Sequence, residues 1–296
     1  MLNFRAMTLE DYAWMKEMQE ASGQSSCHHL PGNIFLWGPD YNTKICRLNG
    51  DFFTTYSEMK HSYCFPVGRG DCRAALETLM LDAGERGVPF RLFGIMEHNR
   101  EALEQWYPGR FSFRETRDFE DYVYNTDDLT ALPGKKYHQK RNHIAAFLRS
   151  YDWSYEPLGE GNIAACVDFQ HRWFSANEAK NPADLATENT VVLSALKNFS
   201  ALGFVGGVLY AGGEMAGFTL GERINDEIFC THIEKADGSL RGAYPMLNQQ
   251  FAQNALGAYR FVNREEDMGD PGLRQAKLSY HPAELLKAYA VSCRRE

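Results

Sequence analysis

The sequence predicts an α/β fold built as two similarly ordered halves, and three observations predict it. Each half carries one hairpin signal. Asn49-Gly50 is flanked by strand segments at 44–48 and 52–56, and Ala211-Gly212-Gly213 separates strand segments at 204–210 and 215–221. In each half the hairpin leads into a third strand, a glycine-containing turn, a helix and a further strand. The chain's 296 residues, 44% of them hydrophobic, are too many for one small domain and comfortable for two.

In the first half, a helix is expected over 9–18 with Thr8 as N-cap, then an irregular stretch through Pro31 and Pro39. The third strand is 61–65 and the glycine turn 66–71, with Asp71 capping a helix over 73–86. A strand at 90–95, a helix at 97–106 and a strand pair within 111–124 complete the half. In the second half, helices are expected over 137–148, 163–179 and 190–202 before the hairpin. The third strand is 228–234, the turn 238–242, the helix 243–256 and the next strand 259–263. A final helix is expected from Pro282, a residue suited to a first helical turn. The boundary falls near 129–133, giving domains 1–128 and 129–296.

A net charge of −8 argues against a general binder of DNA or of anionic membrane, so an anionic partner must meet a local basic patch. The seven cysteines are odd in number and include no C-x-x-C pair, which points to thiols in a reducing compartment, hence a cytoplasmic protein. Cys27-His28-His29 are contiguous and lack metal-ligand spacing, so no metal is expected. No basic-then-apolar leader and no run of about 18 apolar residues occurs, so no integral membrane contact is expected.

Four segments carry candidate chemistry. The first is the basic run Lys135-Lys136-Tyr137-His138-Gln139-Lys140-Arg141-Asn142-His143, which reads as an anion site for phosphates or as a solvated helix face. The second is the strand Cys230-Thr231-His232-Ile233-Glu234-Lys235. Strict alternation puts His232 and Glu234 on one face, where a general base or a grip on an amine would sit. The third is the turn 238–243 opening a helix that bears Tyr244 and Asn248; free N–H groups there suit an anion. The fourth is 263–282, read as a loop at a strand end, dense in ionisable groups: Asn263, Glu265, Asp267, Arg274 and Lys277.

These segments resemble, in order, the bacterial proteins grouped with the phosphatidylglycerol lysyltransferase C-terminal domain (DUF2156-like). The residues carrying the likeness are 134–143, then His232 to Asp237 with Gly242, Tyr244 and Asn248, then Asn263 to Gly269 with Arg274 and 277–282. The resemblance implies two GNAT-like domains in tandem, each a mixed, mostly antiparallel sheet flanked by helices, with the working cleft in the second. It also implies that His232, Glu234 and Lys235 occupy positions of charged substrate contacts.

The expected activity is an acyl- or aminoacyl-transferase that moves a group from acyl-CoA or aminoacyl-tRNA to an amine or hydroxyl of a small-molecule acceptor. His232, Glu234, Asp267 and Lys277 are the catalytic candidates. Lys235, Tyr244, Asn248, Asn263, Glu265, Lys135, Lys136, His138 and Arg141 are the substrate-binding candidates. No cofactor beyond the donor is expected. A non-catalytic GNAT-fold module that binds an amino acid, nucleotide or tRNA end is the alternative.

Overall fold

The computed structural model describes residues 1–180 and 182–294. Its first unit comprises Met1–Tyr122, Glu265–Gln275 and the described residues from Glu284 on; its second comprises Val123–Arg264 and Ala276–Ala283. The first opens with α1 (Leu9–Ser22), where Thr8 and Asp11 form a reciprocal capping box. The short α2 (Pro31–Trp37) follows, in a stretch expected to be irregular. Strands β1 (Thr43–Leu48) and β2 (Phe52–Ser57) form the expected hairpin, and both Asn49 and Gly50 take the positive φ its tight turn requires.

After β2 come β3 (Ser62–Tyr63), β4 (Val67–Gly68), α3 (Cys72–Arg86), β5 (Arg91–Met96), α4 (Glu97–Trp106) and β6 (Phe111–Glu115). Asp71 caps α3, accepting from the Ala74 N–H at 3.0 Å. The core between sheet and helices is apolar, with Phe52, Tyr63, Leu76, Leu79, Phe90 and Phe111 buried together.

In the second unit β7 (Asp121–Asn125), which begins at the end of the first, leads to α5 (Thr126–Ala131), α6 (His138–Ser150), β8 (Trp153–Pro157), α7 (Ile163–Asn177) and α8 (Pro182–Lys197). Then come β9 (Val205–Ala211), β10 (Glu214–Arg223), β11 (Ile228–Ala236), α9 (Ala243–Ala255) and β12 (Phe261–Asn263). The chain closes with α10 (Pro271–Leu278), β13 (Glu284–Leu286) and β14 (Ala288–Cys293).

The repeat is topological. In the first sheet the hairpin strand β2 pairs antiparallel with β3, and β3 pairs parallel with β5 across the helix α3. In the second, β10 pairs antiparallel with β11, and β11 pairs parallel with β12 across α9. The expected pair of mixed, mostly antiparallel sheets flanked by helices is the architecture observed.

Two expectations are corrected at the C-terminal end. The helix expected from Pro282 is absent. Residues 288–293 instead form β14, inserted between β5 and β6 of the first sheet with Tyr289 and Val291 buried. Burial alternates over Tyr289-Ala-Val-Ser292, as suits a strand, and Pro282 precedes it without starting a helix. The segment 263–282, read as a loop, contains α10. The second sheet takes β7 beside β12 in the place that β14 occupies beside β5, so each sheet is completed by a strand far from its own hairpin in sequence.

Candidate active site

The strand β11 carries a β-bulge that decides which side chains meet. Leu220 faces Ile233, but Gly221 faces Thr231, so His232 is the extra residue. An inserted residue reverses the alternation beyond it. Glu234 therefore shares a face with Phe229, whose ring packs on Phe251 of α9 at 5.7 Å. His232 stays with Cys230, 3.7 Å from its thiol, on the other face. The expectation that His232 and Glu234 lie side by side is thus corrected. His232 Nε2 lies 3.1 Å from the buried Glu222, and its ring packs against Phe204.

Glu234 is the centre of a buried polar cluster. Its Oε1 accepts from Arg264 Nη2 at 2.9 Å, and its Oε2 accepts from Asn248 Nδ2 at 3.0 Å. Arg264 follows β12 and lies over the rings of Tyr124 and Tyr280, at 5.6 and 4.9 Å. Burial alone would lower the guanidinium's pKa; Glu234 and the two tyrosines outweigh it, and Arg264 stays charged. Lys140 of α6 places its ammonium 3.8 Å from the centre of the Tyr280 ring. Burial pushes the Lys140 pKa down to about 8; Arg264 adds to the fall and Glu234 opposes it. Arg264 has no assigned role in the sequence, and Lys140 reads only as part of the basic run that would meet phosphates. The signal for Lys140 was its place in the basic run, but nothing local marks Arg264.

Two polar atoms of the cluster are orphaned: among the described residues, Arg264 Nη1 and Asn248 Oδ1 are buried without a hydrogen-bond partner. Each such group costs about 1–3 kcal/mol, more when charged. One is a donor and the other an acceptor.

The remaining candidates fall into four groups. Lys277 and Asn263 lie beside Arg264, Lys277 by a hydrogen bond to its backbone and Asn263 as its neighbour in the chain. Lys277 Nζ donates to the Arg264 carbonyl at 2.5 Å, the Tyr124 hydroxyl donates to the Lys277 carbonyl at 2.8 Å, and Asn263 is fully buried on β12 opposite Cys230. Lys235 pairs with Glu188 at 2.7 Å and lies 3.9 Å over the Trp173 ring, and burial lowers its pKa. Tyr244 is partly exposed at the start of α9, where burial of its hydroxyl raises the pKa.

The basic run is mostly spent on the chain itself. Arg141 donates to the carbonyls of Leu132 and Gly134; Lys136 lies 3.5 Å from Asp128; His138 contacts Asn142 at 3.0 Å; Lys135 is exposed in a short 3-10 turn.

Glu265 and Asp267 belong to the first unit. Asp267 is fully buried and accepts from Arg274 twice at 2.8 Å, from the Tyr122 hydroxyl at 2.5 Å and from the Gly269 N–H at 2.9 Å. A carboxylate so occupied anchors its loop. Glu265 takes a positive φ, and its carbonyl accepts from the Tyr122 N–H at 3.1 Å.

Among the described residues no helix is long and apolar enough to cross a membrane. The sequence model of the family described as phosphatidylglycerol lysyltransferase, C-terminal, matches residues 20–292. A conserved protein of unknown function from Bacteroides thetaiotaomicron is 37% identical, with a TM-score of 0.93 over 99% of this chain and 100% of that one. The C-terminal DUF2156 domain of a proposed lysylphosphatidylglycerol synthetase from Agrobacterium fabrum has the same fold. Its TM-score is 0.69 at 12% identity, covering 98% of this chain and 93% of that one. An uncharacterised protein of Mycoplasmoides gallisepticum is 28% identical over 58% of this chain, and the match spans about half, 55%, of that relative's length. The chain belongs to the phosphatidylglycerol lysyltransferase C-terminal family.

Proposed function

We propose that this chain is an aminoacyltransferase whose site is the Glu234–Arg264–Asn248–Lys140 cluster. The observation that carries the reading is the orphaned pair: a buried donor on Arg264 and a buried acceptor on Asn248, beside a paired carboxylate. An aminoacyl ester offers the complement, a carbonyl oxygen for Arg264 Nη1 and an α-amine for Asn248 Oδ1 and Glu234. A simple acyl group lacks the amine and would leave Asn248 unsatisfied. Membership of the family described as phosphatidylglycerol lysyltransferase, C-terminal, supports the same choice.

In this reading the donor is an aminoacyl-tRNA and the acceptor a hydroxyl or amine. Lys140 takes the acceptor's proton, a task that suits a lysine whose pKa lies near 8. The acceptor attacks the ester carbonyl carbon, Arg264 steadies the oxyanion, and the ribose oxygen leaves with the proton from Lys140. Glu234 holds Arg264 and the amine in place, and Lys277 fixes the Arg264 backbone.

The test supplies bulk tRNA charged with radiolabelled amino acids, together with phosphatidylglycerol vesicles, soluble amines and hydroxyl compounds. Label should pass to one acceptor class and be lost in Arg264→Met. Transfer from acyl-CoA instead, or transfer undiminished in Arg264→Met, would overturn the reading. Binding of charged tRNA without any product would favour the non-catalytic alternative.

A further inference from the structure

Contiguity in the sequence argued against Cys27 and His28 as metal ligands, but folding changes their company. Cys27 lies in a 3-10 turn of the first unit, Cys27–His29, with its side chain fully buried. Its Sγ is 3.1 Å from Asp121 Oδ1 and 3.2 Å from Glu266 Oε2, across 94 and 239 residues of chain. Its backbone N–H donates to the other oxygen of Asp121 at 2.8 Å. A ring nitrogen of His28 completes the group: one ligand atom from each of the four residues lies within 4.8 Å of the others.

We propose that Cys27, His28, Asp121 and Glu266 bind a divalent cation of the zinc class. The donor set is the first argument. One thiol, one imidazole and two carboxylates match a borderline-soft, four-coordinate ion, whereas magnesium and calcium take oxygen ligands. Spacing is the second. Zinc–sulfur and zinc–oxygen bonds of about 2.3 and 2.1 Å at a tetrahedral angle set ligand atoms about 3.6 Å apart. The thiol–carboxylate separations are slightly shorter than that, so small side-chain rotations admit the ion.

The third argument is how the imidazole is held. Its ring packs against the mutually touching rings of Phe93 and Phe119, with centroids 5.9 and 6.3 Å away. Gly94 takes a φ of +67°, and a Cβ there would press on the ring at 3.3 Å. Binding forms one metal–sulfur bond, and the thiol proton passes to solvent. The ion ties three segments that are remote in the chain, so it acts on the fold of the first unit and stands independently of the transfer reaction.

Cobalt(II) titration of tag-free, chelator-treated protein tests the site. The expected result is saturable one-to-one binding with the near-ultraviolet sulfur-to-cobalt charge-transfer band, displaced by zinc. Cys27→Ser should abolish the band, and Glu266→Gln should weaken binding by more than about a hundredfold, beyond what loss of an outer-shell partner produces. Cys72→Ser, a thiol outside the cluster, should change neither. Near-ultraviolet circular dichroism checks folding, and Glu266→Gln carries the test should Cys27→Ser misfold. Absence of one-to-one binding to the folded wild type, or affinity unchanged in Glu266→Gln, overturns the proposal.

Discussion

Arg264 Nη2 and Glu234 Oε1 stand 2.9 Å apart, with both side chains nearly nine-tenths buried. Such a pair is costly to break from one side, because the surviving charge stays in a poorly solvated place. Glu234→Gln should destabilise the protein by about 3 kcal/mol in urea unfolding, and Arg264→Met by a similar amount. The double variant should lose clearly less than the sum, because neither charge is then stranded. Additive losses would mean that the pair contributes little coupling.

Lys140 predicts a pH signature. Its pKa falls from 10.5 to about 8 on folding, so between those values the unfolded chain holds the proton and the folded one has lost it. Stability contributed at this position therefore rises with pH from about 8 to about 10.5. Lys140→Met should remove that rise, measured as the difference in urea midpoint between pH 7.5 and pH 10. In the proposed reaction kcat/KM should climb to a plateau with an apparent pKa near 8. Lys140→Arg should not restore it, since guanidinium cannot serve as a base.

His232 gives a contrasting expectation. The bulge turns it away from Glu234 and towards Glu222, 3.1 Å away. His232→Ala should cost about 1–3 kcal/mol by removing a partner of a buried carboxylate. Transfer should fall by only a few-fold in a folded sample. A loss as deep as that of Arg264→Met would place the imidazole in the chemistry.

Gly242 is a packing prediction. It takes a φ of +91° at the start of α9, and a Cβ would collide with the His143 carbonyl of α6 and crowd Phe147. Gly242→Ala should lower stability by about 1–3 kcal/mol from backbone strain, before counting the clash. Thermal unfolding followed by circular dichroism checks it.

These cases separate what was legible in the sequence from what was not. Asn49-Gly50 and Gly212-Gly213 marked their hairpins because positive φ is a local demand with a local residue signature. Asp71 marked α3 for the same reason. The bulge at His232 leaves no comparable trace, so strict alternation put the wrong pair of side chains together. Residues 289–292 alternate in burial as a strand should, but the pairing of their strand between β5 and β6 is a long-range event that a terminal segment does not announce. Arg264 stood inside a segment read as a strand-end loop, and only its packing against Tyr124 and Tyr280 distinguishes it from its charged neighbours. Cys27 and Glu266 meet across 239 residues, beyond any motif.

The central claim is that the cluster recognises an aminoacyl group through its free amine and its carbonyl. Calorimetric titration with non-hydrolysable 3′-aminoacylamino-adenosines, free and N-acetylated, tests it most directly. At least one free-amine compound should bind, about tenfold or more tighter than its acetylated form, a difference of about 1.4 kcal/mol. Asn248→Leu should erase that preference. Equal binding of the two forms, or a preference untouched in Asn248→Leu, would contradict it.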